Sequence, residues 1–179
     1  MSTHIALLRG INVGGNRLIK MDALKALFIN HGFTDVKTYI QSGNVIFNGN
    51  IMDVNHTTIQ LEQAIQTKFG VEVPVMIKTI EQWENIIQQN PFVQEHGVDE
   101  KNLHVTLLGN KPTPASLKIL PTSPVNGDAF SLIDETIYLH CQNPYHQTKL
   151  SNAFFEKTLG VKATTRNWKT ILKIGQLIT

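Results

Sequence analysis

The sequence predicts an α+β protein made of two ferredoxin-like lobes of the βαββαβ type, packed as one compact unit. The hydrophobic pattern of residues 1–79 alternates between short strand-like runs and helical periodicity in the order β-α-β-β-α-β, which is the split βαβ arrangement. The second half repeats the order β-α-β-β-α and adds one ambiguous strand-like segment. A chain of 179 residues buries about 70% of its unfolded surface, so the core needs no disulfides.

The first lobe is predicted over residues 1–79 from periodicity and turn residues. It begins with a buried strand at Ile5–Ile11 and a helix that runs from Met21 and ends at Gly32. A hairpin follows, with a half-exposed strand at 36–41 and a second arm at 45–47. The lobe closes with a helix through Leu61 and Phe69, which ends at Gly70, and a strand at Val71–Ile77. Pro74 favours an edge or irregular position for the last strand, because proline donates no ladder hydrogen bond.

Residues 80–100 are predicted to connect the lobes, and residues 101–179 form the second lobe. Thr79 and Gln82 have the spacing of a capping box, which begins a helix that Pro91 ends. The second lobe begins with a strand at Leu103–Leu108, a short helix after Lys111 and a hairpin at 129–133 and 136–141. It continues with a helix at Leu150–Leu159, an ambiguous strand at Val161–Thr164 and a final helix from Trp168.

Composition excludes several classes of protein. The charged fraction is 17%, so the chain is not disordered, and a net charge of +2 does not by itself indicate a nucleic-acid partner. The single cysteine, Cys141, excludes an intramolecular disulfide. No secretory signal is evident, and no apolar run reaches the roughly 20 residues that span a bilayer. We therefore expect a cytoplasmic protein with no membrane partner; the sequence leaves its oligomeric state open.

A glycine-rich loop from Arg9 to Arg17 follows the first strand. Glycines between a strand and a helix let backbone N–H groups approach a phosphate. Gly10 and Gly15 have the spacing of the two glycines of a P-loop, but Asn16-Arg17 replaces the Lys-Ser or Lys-Thr pair, so nucleotide hydrolysis is not predicted. The alternative is a strained loop whose glycines supply positive φ, and both interpretations stay open.

Three further stretches are candidates for function. Gln41–Asn44 has turn composition, and a tight hairpin explains it better than binding. In Tyr145–Asn152, Thr148 or Ser151 can cap the following helix, and Lys149 can reach an anion at the same end. In Ala163–Lys169, Thr165 or Asn167 can cap the final helix, and Arg166 either binds an anion or pairs with a carboxylate of the other lobe.

The four stretches together hold five lysines and arginines and no Asp or Glu, so they predict an anion-binding cleft formed by the Arg9–Gly15 loop and the Thr164–Trp168 segment. The ligand would be a phosphorylated small molecule or a nucleic-acid backbone. The predicted ligand-binding residues are Arg9, Asn12, Gly14, Gly15, Asn44, Lys149, Arg166 and Asn167.

Two alternatives stay open. The first is a small transferase or hydrolase in the same cleft, which needs a carboxylate or histidine from outside the four stretches as general base; no catalytic residue is assigned. The second is a structural role, in which the motifs lock the lobes together without a ligand. No cofactor is predicted, and no metal either, because the histidines and Cys141 lack metal-ligand spacing; Cys141 fits core packing.

Several segments resemble the DUF1697 family of uncharacterised proteins. They are Ala6–Gly15, Tyr39–Phe47, Asn90-Pro91-Phe92, Leu103–Thr106, Lys149–Asn152 and Ala163–Trp168, in this order along the chain. The resemblance covers nearly the whole chain and implies an α+β fold of two ferredoxin-like lobes, but no established activity. Family members often carry glycines before the position of Lys149, where this chain has Tyr145-His146-Gln147.

Overall fold

The computed structural model describes residues 1–178, which form eight strands and six α-helices. They are β1 (Ser2–Leu8), α1 (Met21–Asn30), β2 (Thr34–Tyr39), β3 (Asn44–Gly49), α2 (Val54–Phe69), β4 (Val75–Thr79), α3 (Ile80–Gln88), β5 (Leu103–Leu108), α4 (Pro114–Leu117), β6 (Ala129–Ile133), β7 (Thr136–His140), α5 (Asn152–Leu159), β8 (Ala163–Asn167) and α6 (Trp168–Ile178). Short 3₁₀ turns lie at Pro91–Gln94, Glu100–Asn102 and Tyr145–Gln147.

The chain divides into two units, one made of residues 1–84 with Ile178 and the other of Asn85–Leu177. Each unit holds a four-stranded antiparallel sheet, with strand orders β2-β3-β1-β4 and β6-β7-β5-β8. These orders, with helices between the strands, are those of two ferredoxin-like lobes, as predicted.

The first unit packs its helices on one face of its sheet. Every second residue of β1 faces the helices, because side chains alternate along a strand. The core joins strand residues Ala6, Leu8, Val45 and Phe47 with helix residues Leu24, Leu27, Phe28, Leu61 and Ile65. Gly70 ends α2 in the left-handed conformation, with φ 71°, as its position in the sequence predicts.

The strand ends differ from the sequence-based prediction. β1 covers Ser2–Leu8 rather than Ile5–Ile11, because Gly10 with φ 67° turns the chain out of the sheet. β4 begins at Val75 and ends at Thr79, so Pro74 precedes the strand. Within the sheet β4 pairs only with β1 and is an edge strand, as Pro74 indicated.

In the second unit, α5 covers one face of the sheet. Its core consists of Leu108, Ile137, Leu139, Cys141, Leu150, Phe155, Leu159 and Ala163. The ambiguous segment that sequence placed at Val161–Thr164 is a true strand, β8, at Ala163–Asn167, paired along its length with β5. The stretch expected to lead into the last helix therefore forms part of the sheet.

Three predicted helix caps are confirmed. The capping box at α3 is reciprocal, since Gln82 N donates to Thr79 Oγ1 over 3.2 Å and Thr79 N donates to Gln82 Oε1 over 3.0 Å. Ser151 Oγ accepts from Phe154 N and begins α5. Asn167 Oδ1 accepts from Thr170 N over 2.8 Å at the start of α6.

Candidate functional site

The glycine-rich loop of the first unit is a small hairpin. Asn16 N donates to Val13 O over 3.0 Å, and the two residues between them, Gly14 and Gly15, have φ of 58° and 77°. Two consecutive positive φ values define a type I′ turn, in which glycine is favoured at both central positions. The glycines thus supply the positive φ values of this turn, as one of the two sequence-based interpretations proposed.

Asn12 holds this loop against the turn between β2 and β3. Its Nδ2 donates to Ile19 O over 3.0 Å and to Gln41 O over 2.8 Å, and its Oδ1 accepts from Ile19 N over 2.8 Å. Asn44 is fully buried, and its Nδ2 donates to Tyr39 O and to Ser42 Oγ. Both amide groups, predicted as ligand contacts, therefore have hydrogen-bond partners inside the first unit.

Arg9 is half-buried at the base of the same loop, and its backbone N–H donates to Pro74 O over 2.9 Å. Gly14 and Gly15 are exposed at the turn, and no atom lies within 4 Å of the position that a Cβ would occupy on either residue. Of the predicted ligand-binding residues in the first unit, Gly14 and Gly15 are therefore exposed and Arg9 is half-buried.

In the second unit, the alternation of β8 separates Arg166 from Asn167. Arg166 is only 7% exposed, and its Nη1 donates to Thr164 Oγ1 and to Thr165 O, each over 2.9 Å. Burial lowers the pKa of Arg166 to about 10. Asn167 is exposed and points to the opposite face of the strand. One ligand on one face of this sheet cannot contact both side chains.

The face that carries Asn167 ends in a polar cluster that sequence reasoning missed. Thr165 and Asn167 lie directly opposite Thr106 and His104 across the β5–β8 ladder. Asn152, the first residue of α5, completes the group with Tyr145. We call His104, Thr106, Tyr145, Asn152 and Thr165 the polar cluster.

The hydroxyl of Thr165 is the centre of the polar cluster. It donates to Asn152 Oδ1 over 2.7 Å, accepts from Tyr145 Oη over 3.0 Å and lies 2.6 Å from Thr106 Oγ1. Because the bond to Asn152 uses the single hydroxyl proton of Thr165, Thr106 is the donor in the third bond. These three bonds saturate the Thr165 hydroxyl, so it positions its neighbours rather than acting as a nucleophile.

His104 forms one side of the polar cluster. Its ring stacks on Tyr145, with centroids 4.8 Å apart and planes inclined by 25°. Nδ1 lies 3.3 Å from Asn102 O, and since a carbonyl only accepts, Nδ1 carries the proton. Burial lowers the pKa of His104, which keeps the ring neutral at pH 7. Nε2 then holds a lone pair, and it has no hydrogen-bond partner among residues 1–178.

The N-terminus of α5 adds donors beside the polar cluster. Ser151 satisfies Phe154 N, whereas the N–H groups of Asn152 and Ala153 have no acceptor within the described chain. Lys149 is exposed, three residues before Asn152 in the sequence. Thr148 fixes this segment by donating to buried Asp128, which also accepts from Gln142 N. The arrangement offers several N–H donors and a lysine around one helix end.

The local sequence contained a weak signal for the polar cluster. His104 and Thr106 alternate with buried Val105 on one strand, which predicts a shared face. Their proximity to Tyr145 and Thr165 depends on pairing between segments about 40 to 60 residues apart, and no spacing motif encodes it. Among residues 1–178, no group of three or more His, Cys, Asp or Glu side chains is placed to hold a metal ion.

The fold and this site define an α+β protein of two ferredoxin-like lobes with a carboxylate-free polar cluster at one end of the second sheet. The chain belongs to the family described as "Protein of unknown function (DUF1697)", whose model matches residues 1–138. The solved structure of the conserved bacterial protein SP0830 from Streptococcus pneumoniae is similar, with a TM-score of 0.70 and 21% identity over 99% of each chain. No curated protein matches the chain. No helix formed by residues 1–178 is long and apolar enough to span a membrane.

Proposed function

We propose that the protein binds a phosphate-bearing ligand, a small phosphorylated molecule or a nucleic-acid backbone, at the N-terminus of α5 beside the polar cluster. The observation that carries the proposal is the pair of backbone N–H groups at Asn152 and Ala153 that have no acceptor within residues 1–178. Helix N-termini favour anions because such N–H groups and the helix dipole point at the ligand.

Three side chains support this choice of ligand. The Oδ1 of Asn152 is held by Thr165, so its Nδ2 protons are oriented by the polar cluster. Exposed Lys149 supplies a positive charge on a flexible stem. Exposed Asn167 lies opposite His104 on the same sheet face. The sequence-based prediction that the Arg9–Gly15 loop belongs to the same site stays a prediction. Arg166 is buried on the opposite face of β8 from Thr165 and Asn167, so the proposed site does not include it.

The first test is a thermal-shift titration with inorganic phosphate, pyrophosphate, nucleotides, sugar phosphates and a short RNA. Asn152→Asp keeps the oxygen that accepts from Thr165 and suits the positive end of the helix, but it replaces the Nδ2 donor with a negative charge. Lys149→Ala removes the flexible cation, and Lys157→Ala, at the other end of α5, is its matched control.

We expect at least one phosphate compound to raise the melting temperature of the wild type and of Lys157→Ala. The same compound should have little effect on Asn152→Asp and Lys149→Ala, although both variants remain folded. If no phosphate compound stabilises the wild type, or if both site variants respond as the wild type does, the proposal is wrong.

His104 supports a second candidate function, a small transferase or hydrolase at the same place. It is a histidine from outside the four sequence stretches, its tautomer is fixed by Asn102 O, and Nε2 is available to accept a proton. An activity screen over phosphoesters and acyl esters tests this candidate. His104→Gln should abolish any activity found, whereas His96→Gln, in an exposed loop, should leave it unchanged.

We also propose a cytoplasmic location. Its support is the single cysteine, which cannot form an intramolecular disulfide. Cys141 is fully buried, and burial raises the pKa of its thiol to about 11, with the nearby Asp128 charge acting in the same direction. Such a thiol is unreactive and suits a core position in a reducing compartment.

A further inference from the structure

The outer edge of β6 carries backbone groups that have no hydrogen-bond partner among residues 1–178. β6 pairs with β7 on one side, and its residues alternate between bonding β7 and facing away from it. Asp128, directly before β6, exchanges two backbone hydrogen bonds of 2.9 and 3.0 Å with Val125, so its N–H and C=O point away from β7. The same alternation points the N–H and C=O of Phe130 and Leu132 outward, and the described chain provides no partner for them. We call Phe130, Ser131 and Leu132 the open edge.

A cleft lies beside the open edge. Val125 is followed by a tight turn, with φ of 55° and 86° at its two central residues, and pairs back onto Asp128. Within residues 1–178 the pairing stops there, and no backbone hydrogen bond joins Pro121–Pro124 to β6. A cleft of about 200 Å³ separates this segment from Ala129 and Phe130. The start of the open edge therefore faces a cleft rather than a paired strand.

The other edge strands formed by residues 1–178 each have a device that hinders a further strand. β2 has a register shift and carries exposed Lys37. In β4, Val75 N donates to Glu62 Oε1 over 2.9 Å. In β8, Ala163 N donates to Glu156 Oε1 over 2.9 Å. β6 contains no charged residue, proline, glycine or register shift, and all five of its residues are half-exposed. An edge without such protection is a template for another strand.

The pattern of open groups selects an extended chain as the occupant. Phe130 and Leu132 present N–H and C=O groups two residues apart along a strand, and another extended backbone matches their direction and spacing. A second copy of β6 does not fit, because Pro121–Pro124 lies outside Ala129 and Phe130. In a symmetric antiparallel pair, this segment of each copy would occupy the space that β6 of the other copy needs. A single peptide segment avoids this clash, since its end can enter the cleft.

The side chains of the open edge define the chemistry of that peptide. Phe130 and Leu132 pack on the core of the second unit and stay half-exposed, and the Phe130 ring centroid lies 5.8 Å from that of Phe155. In an antiparallel pair, the residues opposite Phe130 and Leu132 project on the same face and exchange both backbone hydrogen bonds with them. Aliphatic side chains at these positions extend the apolar face, whereas Ser131 lies on the other face and suits a polar neighbour.

We propose that the open edge binds an extended peptide segment of a partner protein as an additional antiparallel strand. Aliphatic residues of the peptide lie opposite Phe130 and Leu132, and its end enters the cleft beside Pro121–Pro124. β6 and β8 are opposite edges of the sheet, so this interaction is separate from the proposed ligand site beside β8 and does not depend on phosphate binding.

Amide hydrogen exchange, followed by NMR on the full chain, tests the proposal with the end-blocked peptide Lys-Val-Thr-Val-Thr-Val-Lys. In the free protein the amides of Phe130 and Leu132 should exchange fast, whereas that of Ser131, which bonds β7, should be protected. At saturating peptide we expect exchange at Phe130 and Leu132 to slow by about tenfold or more. The same titration with inorganic phosphate should leave both amides unchanged.

Two N-methylated forms of the peptide are matched probes of the backbone contact. The valine N–H groups face β6 in the proposed pairing, and the threonine N–H groups face solvent. Methylation of the valine nitrogens should therefore abolish the slowing of exchange, whereas methylation of the threonine nitrogens should preserve it.

Two changes at Leu132 test the same contact from the protein side. Leu132→Pro removes an outward N–H but no bond to β7, because proline is tolerated where the N–H of an edge strand faces solvent. Leu132→Val keeps the N–H and an aliphatic side chain. We expect Leu132→Pro to weaken peptide binding about fivefold or more, and Leu132→Val to bind like the wild type.

Unchanged exchange at Phe130 and Leu132 in the presence of the peptide would overturn the proposal, and so would equal effects of the two N-methylated peptides. Neither result depends on the folding of a variant. Protection of the open edge without peptide, together with dimerisation, would assign this edge to a second copy of the chain and would equally overturn the proposal.

Discussion

The imidazole of His104 stacks on the ring of Tyr145, with centroids 4.8 Å apart, and the Tyr145 hydroxyl donates to Thr165. This contact joins a histidine on β5 to a turn 41 residues further along the chain and, through Thr165, to β8. It gives the second unit a polar cluster at the end of an otherwise apolar sheet face.

The first prediction concerns the hydroxyl at the centre of the polar cluster. Thr165→Val keeps the shape and the strand preference of the side chain but removes three hydrogen bonds. We expect it to lower the free energy of unfolding by about 1–3 kcal/mol, because partly buried polar groups lose their partner. Denaturant melts measure the loss. Thr34→Val, at an exposed threonine on β2, is the control, and an equal effect of both changes would contradict the assigned role.

The second prediction separates a structural role of Arg166 from ligand binding. Its guanidinium is buried and bonded to Thr164 Oγ1 and Thr165 O, so Arg166→Ala should cost about 2 kcal/mol or more in unfolding free energy. Lys169→Ala, at an exposed position, should stay within about 0.5 kcal/mol. If Arg166→Ala is as stable as the wild type but no longer binds phosphate, Arg166 binds the ligand and has no structural role.

The third prediction is a pH dependence of stability. Burial lowers the pKa of both His4 and His104, so the unfolded chain binds more protons than the folded chain at pH values below about 6.5. The free energy of unfolding should therefore fall as the pH is lowered from 7.5 through 6.5 to 5.5. Thermal melts across this window measure the slope.

Variants identify the source of that slope. His104→Gln should flatten it, and adding His4→Gln should flatten it further, whereas His56→Gln, on the exposed surface of α2, should leave it as in the wild type. Two results would contradict this explanation: a wild type that becomes more stable on acidification, or a pH dependence that is unchanged in the variant with both His4→Gln and His104→Gln.

The fourth prediction compares two glycines that share a left-handed backbone but differ in surroundings. At Gly15, with φ 77° and open space around the missing Cβ, alanine should cost only the conformational strain of about 1–2 kcal/mol. At Gly43, with φ 78°, the new Cβ would lie 2.7 Å from Ile11 Cδ1 and 2.8 Å from Leu8 Cβ. Gly43→Ala should add about 1–3 kcal/mol for overpacking. Equal melting temperatures of the two variants would show that Ile11 and Leu8 move away from the new Cβ at position 43 without cost.

Local patterns were sufficient for most of the fold. The capping box at Thr79 and Gln82 and the helix end at Gly70 are interactions between near neighbours, and the structure places both as expected. The sequence offered two candidate caps for each of the last two helices, and the structure selects Ser151 and Asn167. Such features depend on residues within a few positions of each other, so a sequence displays them directly.

The ends of the strands and the polar cluster depend on pairing between distant segments. β8 reads Ala163-Thr-Thr-Arg-Asn167, with too few apolar residues for a clear alternation, and it becomes a strand because β5 supplies its partner. The same pairing turns Arg166 towards one face and Asn167 towards the other, which splits a stretch that the sequence presented as one motif. The importance of His104 comes from its contact with Tyr145, which lies 41 positions further along the chain, and no spacing in the sequence indicates that contact.

Backbone amide NMR tests the ligand site at the start of α5 most directly, with isotope-labelled protein titrated with a phosphate compound selected by thermal shift. We expect saturable shifts centred on Asn152 and Ala153, with smaller changes at His104 and Tyr145, and their loss in Asn152→Asp. Shifts that never saturate, or that centre elsewhere and leave the start of α5 unchanged, would contradict a ligand site at this helix end.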